Sequence, residues 1–230
     1  MSTTGLPVMI FAAGFGTRMR ELTRDRPKPL IDVGGEPMID RALGLARAVK
    51  PDRIAANLHY KADMLAAHLA PQGVALSREE PDILDTGGGL RTALPLLGHG
   101  PVITLNPDAI WHGPNPLAAL LRAWDPARMD ALLMCVSIGQ TLGRTAPGDF
   151  SADAQGRIAR GGNLVYGGAQ IIKPDGLADI ADKVFSLNLL WDRMIKGGRA
   201  FALPYPGRWC DVGNPEGVQL AETMLAGADV

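Results

Sequence analysis

Short apolar runs alternate with longer segments of helical periodicity along the first part of the chain. The runs that predict strands are Leu6–Ala12, Arg53–Asn57, Val74–Ser77, Val102–Asn106 and Ala131–Ser137. The segments that predict helices are Pro37–Val49, Lys61–Leu69, Leu90–Leu96 and Pro116–Trp124. Strands that alternate with helices are typical of an α/β fold, in which a largely parallel sheet carries helices on both faces.

The second part of the chain has a different pattern. Two short strand-like segments flank Asp153–Gly156, which predicts a β-hairpin. A long strand is predicted over Leu164–Ile172, and Ser186 is the predicted cap of a helix that runs through Ile195. Two late strands and a final helix follow, at Arg199–Pro204, at Arg208–Val212 and from Asn214 onwards. No repeat or linker divides the sequence, so we predict one domain over residues 1–230.

Composition restricts the possible partners and the location. The 23 Lys and Arg residues against 24 Asp and Glu give a net charge of −1, so we expect neither nucleic acid nor an anionic membrane as a partner. Cys135 and Cys210 lie in apolar segments, as reduced core cysteines do. Met1–Pro7 lacks the basic start of a signal peptide, and no apolar run reaches the roughly 18 residues of a membrane span. We therefore expect a cytoplasmic protein.

A glycine-rich loop follows the first predicted strand, as Gly14-Phe15-Gly16-Thr17-Arg18, and Pro27-Lys28-Pro29 comes shortly after it. A loop of this kind presents backbone N–H groups to a phosphate, and the nearby cations neutralise its charge. Met19 stands where the dinucleotide fingerprint requires glycine, and the Gly-Lys-Ser/Thr of a P-loop is absent from the sequence. A plain tight turn and a dinucleotide-dependent oxidoreductase are the alternatives that these residues leave open.

The loop and the Pro-Lys-Pro triplet together resemble the sugar-1-phosphate nucleotidyltransferases, the uridylyl-, thymidylyl- and guanylyltransferases that make nucleotide sugars. The resemblance implies a three-layer, Rossmann-like nucleotidyltransferase fold with a largely parallel mixed central sheet. It also implies transfer of a nucleotidyl group from a nucleoside triphosphate to a sugar 1-phosphate, with release of pyrophosphate. On this basis Arg18 and Lys28 are the expected catalytic residues, and the expected nucleotide-binding residues of the loop are Ala12, Ala13, Gly14, Gly16 and Thr17.

The chemistry of such a transfer needs cations and in-line positioning more than a general base. The attacking phosphate monoester has a second pKa of about 6, so it is mostly dianionic at neutral pH. Family members bind Mg²⁺ with an Asn-x-Asp segment and a late Asp-Val-Gly segment, which here implicate Asp108 and Asp211. Pro107 departs from the small residue that is usual between Asn106 and Asp108, and it has no N–H group. An inactive nucleotide-binding domain is therefore a further alternative.

The resemblance also assigns the ends of the site. Thr86, Gly87 and Gly88 are expected to bind the nucleobase, with Glu79 or Glu80 as a possible further contact that is more often simply solvated. The residues expected to bind the sugar are Asn163, Tyr166 and Gly168. An acidic sugar substituent would need a cation, which Arg144 or Arg208 could supply. The nucleotide-binding part would cover about residues 6–137 and the sugar-binding part about residues 138–230.

Three segments refine the resemblance within the family, namely Asp85–Gly89, Gly148–Phe150 and Trp209–Gly213. They look most like the N-acetylmuramate-1-phosphate uridylyltransferases of peptidoglycan recycling. Short mannose-1-phosphate guanylyltransferases are the alternative, since a few pocket contacts decide the substrate. The expected ligands are thus a nucleoside triphosphate, a sugar 1-phosphate and Mg²⁺, bound by a monomer or a small homo-oligomer.

Overall fold

The structure is a computed structural model that describes residues 5–227. The predicted domain limits at residues 1 and 230, and most of the segment examined for a signal peptide, lie outside these residues. The strands are β1 (Val8–Phe11), β2 (Asp32–Val33), β3 (Glu36–Pro37), β4 (Ile54–Leu58), β5 (Ala75–Arg78), β6 (Val102–Leu105), β7 (Ala109–His112), β8 (Ala131–Ser137), β9 (Thr141–Leu142), β10 (Phe150–Ala152), β11 (Ile158–Arg160), β12 (Leu164–Ile172), β13 (Ala200–Pro204) and β14 (Arg208–Asp211). The helices are α1 (Met38–Ala48), α2 (Ala62–Leu69), α3 (Asp85–Leu97), α4 (Pro116–Ala123), α5 (Asn188–Lys196) and α6 (Pro215–Leu225).

The central sheet is mixed but largely parallel, as predicted. β1 lies between β4 and β6 and is parallel to both, with Val8 opposite Ile54 on one side and Ile103 on the other. β5 extends the sheet in parallel beyond β4. β12 runs antiparallel between β6 and β8, and β13 pairs in parallel with β8. The parallel strands therefore end at one edge, which is where open α/β sheets bind their ligands.

Helices cover both faces of this sheet, which gives the predicted three layers. Because side chains alternate along a strand, Val8 and Ile10 of β1 face one core cluster while Met9 faces another. The first cluster receives the apolar faces of α1, α2 and α4, and the second receives those of α3 and α5.

No helix within residues 5–227 is long and apolar enough to cross a membrane. Both cysteines are buried and free, and burial raises the pKa of each thiol to about 12.

A small second sheet, formed by β7, β14 and β9, is the element that the sequence pattern did not predict in full. β14 was predicted, but β7 begins one residue after Asp108 and is too short to show a period. The antiparallel pairing of β14 with β7 places Asp211 opposite Ala109. The N–H of Val212 donates to the carbonyl of Asp108 at 2.9 Å, so the two aspartates become neighbours.

Helix α3 corrects one predicted boundary. It begins at Asp85, whereas the sequence pattern predicted a start at Leu90 after a glycine-rich loop. The glycine run is instead the first turn of the helix, although glycine has low helix propensity. The N–H groups of Gly87 and Gly88 both donate to the carbonyl of Phe185, at 2.9 and 3.1 Å. Tertiary contacts therefore decide where this helix starts.

Candidate functional site

Three adjoining cavities form one cleft at the edge where β1, β4 and β6 end. The loop cavity, about 250 Å³, is lined by Ala12, Gly14, Gly16, Thr17, Arg18, Lys28 and Pro107, among others. The α3 cavity, about 220 Å³, is lined by residues that include Ala13, Gly14, Asn57, Glu79, Asp85 and Thr86. The large cavity, about 370 Å³, is lined by residues that include Arg18, Arg144, Tyr166, Gly168 and Asp211. Asp108 lines all three cavities and so marks their junction.

The glycine-rich loop presents unpaired donors to the loop cavity. Among the described residues, the backbone N–H groups of residues 14–18 have no hydrogen-bond acceptor. The N–H of Ala12 differs, because it donates to Asn57 Oδ1 at 2.7 Å and is therefore not free for a ligand. Gly16 has a φ of 64°, and the hydroxyl of Thr23 donates to its carbonyl at 3.2 Å. A loop of this shape is a backbone nest, which binds anions such as phosphates.

Two cations reach the junction, Arg18 from this loop and Lys28 from the Pro-Lys-Pro segment that follows it. Lys28 Nζ lies 2.5 Å from Asp108 Oδ2, and only 13% of the lysine side chain is exposed. The guanidinium of Arg18 rests against Gly213, where a Cβ atom would lie 3.1 Å from Nη1. Arg18 lines both the loop cavity and the large cavity. The two predicted catalytic residues are therefore brought together at the junction, each beside a segment that carries an aspartate.

The carboxylates of Asp108 and Asp211 share this junction. Burial raises the pKa of Asp211, the like charge of Asp108 raises it further, and the charges of Lys28 and Arg18 partly offset both effects. Within residues 5–227 no group of three or more His, Cys, Asp or Glu side chains is arranged to hold a metal ion. Mg²⁺ needs only one or two carboxylates when substrate phosphates and waters complete its shell. The oxygen donors of Asp108 and Asp211 fit that requirement.

Pro107 is buried between Asn106 and Asp108 and lines the loop cavity. Because proline has no N–H group, this position offers a ligand no backbone donor. The N–H of Asn106 is already engaged with the carbonyl of Gly168 at 2.7 Å. The segment therefore contributes the Asp108 carboxylate to the cleft and no backbone N–H from its first two residues.

The α3 cavity rests on a buried carboxylate that the sequence suggested only as a solvated loop residue. Glu79 is 1% exposed, which corrects that interpretation. Its Oε1 accepts from Asn57 Nδ2 at 2.6 Å, and its Oε2 accepts from the N–H of Leu84 at 2.7 Å. Glu79 thus ties β4 to the start of α3. No sequence signal distinguishes it from its exposed neighbour Glu80, because both precede the same proline.

The predicted base-binding residues do not all face the cleft. Thr86 lines the α3 cavity and the large cavity, but Gly87 and Gly88 line none of the three cavities. A Cβ at Gly87 would lie 2.3 Å from the ring of Phe185, and one at Gly88 would lie 2.5 Å from the carbonyl of Lys183. These glycines allow close packing against residues 183–185. A contact between their amides and a base remains a prediction.

The predicted sugar-binding residues also differ in their placement. Gly168 lines the large cavity at φ 89°, in the irregular part of β12 between Tyr166 and Gln170. Tyr166 lines the cavity too, but its hydroxyl is fully buried, and burial raises its pKa. A contact between this buried hydroxyl and a sugar stays a prediction. Asn163 is exposed before β12 and is not among the residues that line the cavity.

Of the two predicted cations for an acidic substituent, Arg144 lines the large cavity and Arg208 does not. Arg208 begins β14 opposite His112, at the end of the strand farther from Asp211. The sequence pattern missed several residues that line the cavity, because they come from the hairpin, from α5 and from the segment just before α5. These residues are Phe150, Arg160, Ser186, Asn188 and Trp191.

Comparisons with known proteins agree with this architecture. Residues 8–160 match the family described as the MobA-like NTP transferase domain. The chain is 42% identical, over 99% of its length and 100% of the relative, to an N-acetylmuramate alpha-1-phosphate uridylyltransferase of Caulobacter vibrioides. It is 30% identical, over 97% and 99% of the two chains, to a protein of the same name from Neisseria meningitidis.

More distant relatives have other names. The chain is 26% identical to a probable mannose-1-phosphate guanylyltransferase 1 of Oryza sativa, over 91% of this chain and 62% of the relative. Among solved structures, HddC from Yersinia pseudotuberculosis has a TM-score of 0.74 at 23% identity, over 95% of this chain and 98% of that one. At this identity the likeness shows the fold alone, and it confirms the predicted fold class.

Proposed function

Because this chain belongs to the MobA-like NTP transferase domain family, we propose that it transfers a nucleotidyl group from a nucleoside triphosphate to a sugar 1-phosphate. The membership confirms the resemblance and the enzyme class, a nucleotidyltransferase, that the sequence predicted. The observation that carries the proposal is the junction at Asp108. The glycine-rich loop, the half-buried Lys28 and two further cavities meet at that one residue.

The three cavities match the parts of the two substrates. The nucleoside triphosphate spans the α3 cavity and the loop cavity, with its phosphates on the free N–H groups of residues 14–18. The sugar 1-phosphate occupies the large cavity, with its phosphate toward Arg18. Attack of that phosphate on the α-phosphorus then takes place beside Asp108. Confinement of both anions in one cleft supplies the positioning on which this reaction depends.

The side chains at the junction are cationic, and no base is required. The sugar phosphate attacks as a dianion through one oxygen, the bond from the α-phosphorus to the bridging oxygen breaks, and pyrophosphate leaves with the electron pair. Lys28 lies at the inner side of the junction and stabilises charge that develops on the transferred phosphoryl group. Arg18 lies between the loop cavity and the large cavity, where it reduces the repulsion between the two substrates.

Asp108 and Asp211 are the residues that would hold Mg²⁺ in this site. When bound, the ion neutralises phosphate charge between the substrates. Burial raises the pKa of Asp211, and the like charge of Asp108 adds to that effect, so a cation held between the two carboxylates would offset their repulsion. The salt bridge from Lys28 keeps Asp108 oriented toward the cleft.

For the substrates, we propose UTP and N-acetylmuramate 1-phosphate, in a route that recycles cell-wall sugars. Two relatives that cover nearly the whole chain bear that name, at 42% and 30% identity. GTP with mannose 1-phosphate is the second candidate, because guanylyltransferases match 91% of the chain at 26% identity. An inactive nucleotide-binding domain is the third, and Pro107 is the observation that favours it.

Pyrophosphate release tests these candidates directly. The purified chain is incubated with Mg²⁺, with each of UTP, GTP, CTP and dTTP, and with a panel of sugar 1-phosphates. We expect release with UTP and N-acetylmuramate 1-phosphate, and loss of that release when EDTA removes the metal. Release with GTP and mannose 1-phosphate would support the second candidate instead. Nucleotide binding without release from any pair would favour the inactive domain.

A further inference from the structure

Part of the wall of the large cavity is built on Asp149. Asp149 Oδ1 accepts from Arg144 Nη2 at 2.8 Å, and Oδ2 accepts from the N–H of Tyr166 at 2.9 Å. Its own backbone N–H donates to the carbonyl of Leu164, and its carbonyl accepts from the N–H of Gly161. With every polar group paired, Asp149 fixes the guanidinium of Arg144 against the cavity wall.

A second arginine, Arg160, lines the same cavity. Arg160 is paired across the β10–β11 hairpin with Phe150, the residue that follows Asp149. Its Nε donates to Asp192 Oδ1 at 2.8 Å and its Nη2 donates to the carbonyl of Asn188 at 3.2 Å. The guanidinium also lies 5.0 Å from the ring centroid of Phe150 and 5.8 Å from that of Trp191. These contacts hold it in one orientation before any ligand binds.

Both arginines keep donors that the protein does not use. Among the described residues, Arg144 Nη1 and Arg160 Nη1 have no hydrogen-bond acceptor, and Arg144 Nε is buried without one. Buried polar groups without partners are rare in folded proteins. Of the aspartates that pair with the two arginines, only Asp149 lines the cavity. Two guanidinium groups with free donors therefore line this cavity.

We infer that Arg144 and Arg160 form a subsite for a carboxylate carried by the sugar. This inference rests on the proposed function and adds a reason for its substrate class. In N-acetylmuramate 1-phosphate the phosphate and the lactyl carboxylate lie at different positions of the ring, so the phosphate pairs with Arg18 while the carboxylate pairs with Arg144 and Arg160, which line the same cavity. A neutral sugar leaves the same donors unpaired, which disfavours it. Arg208, which the sequence also suggested, has no part in this subsite.

Two substrates that differ only in the lactyl group give the test. The kcat/KM for pyrophosphate release with UTP and Mg²⁺ is measured with N-acetylmuramate 1-phosphate and with N-acetylglucosamine 1-phosphate. In the Arg160→Met variant, whose side chain still covers Phe150 and Trp191, we expect the value for N-acetylmuramate 1-phosphate to fall on the order of 10- to 100-fold. The value for N-acetylglucosamine 1-phosphate should change by less than about threefold.

Arg157 in the same hairpin gives a matched control. It also pairs with an aspartate, Asp153, at 2.8 Å, but it does not line the cavity. We expect Arg157→Met to leave the ratio of the two kcat/KM values unchanged. Arg160→Lys should lower this ratio less than Arg160→Met does, because the positive charge remains.

Three results would overturn the subsite. They are an unchanged ratio in Arg160→Met, an equal loss with both substrates, and a native protein that prefers N-acetylglucosamine 1-phosphate. In all three the transferase function stands, because pyrophosphate is still released by the native protein. If the native protein uses neither sugar, the proposed substrate class fails and the subsite fails with it.

Discussion

At the scale of single residues, two glycines of the phosphate loop have different reasons to lack a side chain. A Cβ at Gly14 would meet no protein atom within 4 Å, and this residue lines both the loop cavity and the α3 cavity. A Cβ at Gly16 would lie 2.7 Å from Cβ of Lys28, at a φ of 64°. Gly14 therefore leaves space for a ligand, whereas Gly16 allows the loop to close over the stem of Lys28.

This difference predicts opposite phenotypes for two alanine variants. Gly14→Ala should keep the melting temperature of the native protein but raise KM for the nucleoside triphosphate about tenfold or more, since the methyl group enters the cleft. Gly16→Ala should lose about 1–3 kcal/mol of unfolding free energy through backbone strain and crowding, and melt several degrees lower. Thermal melts and initial rates on the same preparations distinguish them. Equal melting and equal KM for both variants would contradict the placement of the loop.

Lys28 is the residue on which the rate should depend most. Lys28→Met keeps the packed stem but removes the charge at the junction, so we expect kcat to fall on the order of 10²-fold or more while the protein stays folded. Lys173 is a suitable control, because it is half-buried and paired with Asp130 at 2.8 Å but lies outside the cleft. Lys173→Met should keep the native kcat. A native rate in Lys28→Met would remove this residue from the catalytic role.

At the scale of elements, the start of α3 joins the two ends of the cleft. Thr86 Oγ1 accepts from the N–H of Leu187 at 3.0 Å, and the N–H of Phe185 donates to the carbonyl of Leu84 at 3.1 Å. The segment that these bonds hold leads into α5 and supplies Ser186 to the wall of the large cavity. Thr86, expected as a base-binding residue, therefore also positions the far end of the site.

Thr86→Val tests which of these two roles dominates. The variant keeps the shape of the side chain but leaves the N–H of Leu187 unpaired, so we expect KM for the sugar 1-phosphate to rise about three- to tenfold. KM for the nucleoside triphosphate should rise less, and Thr86→Ser should restore both values. A rise confined to the nucleoside triphosphate would instead favour base binding alone. Steady-state kinetics with each substrate varied in turn provides the measurement.

At the scale of the whole molecule, one carboxylate ties three strands together at the sheet edge far from the cleft. Asp130 precedes β8 and accepts from Lys173 Nζ at 2.8 Å and from Arg199 Nε at 2.7 Å. Burial alone would raise its pKa, but the hydrogen bonds and charges of Arg199 and Lys173 lower it overall. A lowered pKa in the folded state means that the ionised carboxylate stabilises the fold.

The sign of this effect predicts a pH dependence. The contribution of Asp130 is present above the ordinary Asp pKa of about 4 and disappears as the pH falls through the lower folded value. Because the cluster is partly exposed, we expect Asp130→Asn to cost about 1 kcal/mol at pH 7, or about 2–4 °C in melting temperature. The difference from the native protein should shrink progressively below pH 4. Melting curves from pH 3 to 7 provide the check, and a difference as large at pH 3 as at pH 7 would contradict this role.

The division of the chain into a nucleotide part and a sugar part is only partly reflected in the cleft. The loop cavity and the α3 cavity are lined by residues up to Asp108, apart from Gly213. The large cavity, by contrast, takes residues from both parts, from Arg18 to Asp211. Two segments far apart in the sequence thus meet at one junction, which a boundary near residue 137 does not capture.

Sequence by itself determined the features that depend on neighbouring residues. The period of apolar positions predicted β8 and β12 with the bounds that the structure has, and Asn214 followed by Pro215 predicted the start of α6, where Asn214 Oδ1 accepts from the N–H of Gly217 at 2.8 Å. The glycine-rich loop and Lys28 were predicted as site candidates from neighbouring residues too, since glycine, proline and charge act on the local backbone.

Only the tertiary structure decided the features that depend on contacts between distant segments. The burial of Glu79, the buried hydroxyl of Tyr166 and the packing of Gly87 against Phe185 each arise from a partner that the local pattern does not contain. Arg144 and Arg160 line one cavity because Asp149 binds the Arg144 side chain and the hairpin pairs Arg160 with Phe150, the residue after Asp149. Burial and pairing are properties of the packed chain, so they are set when the sheets form.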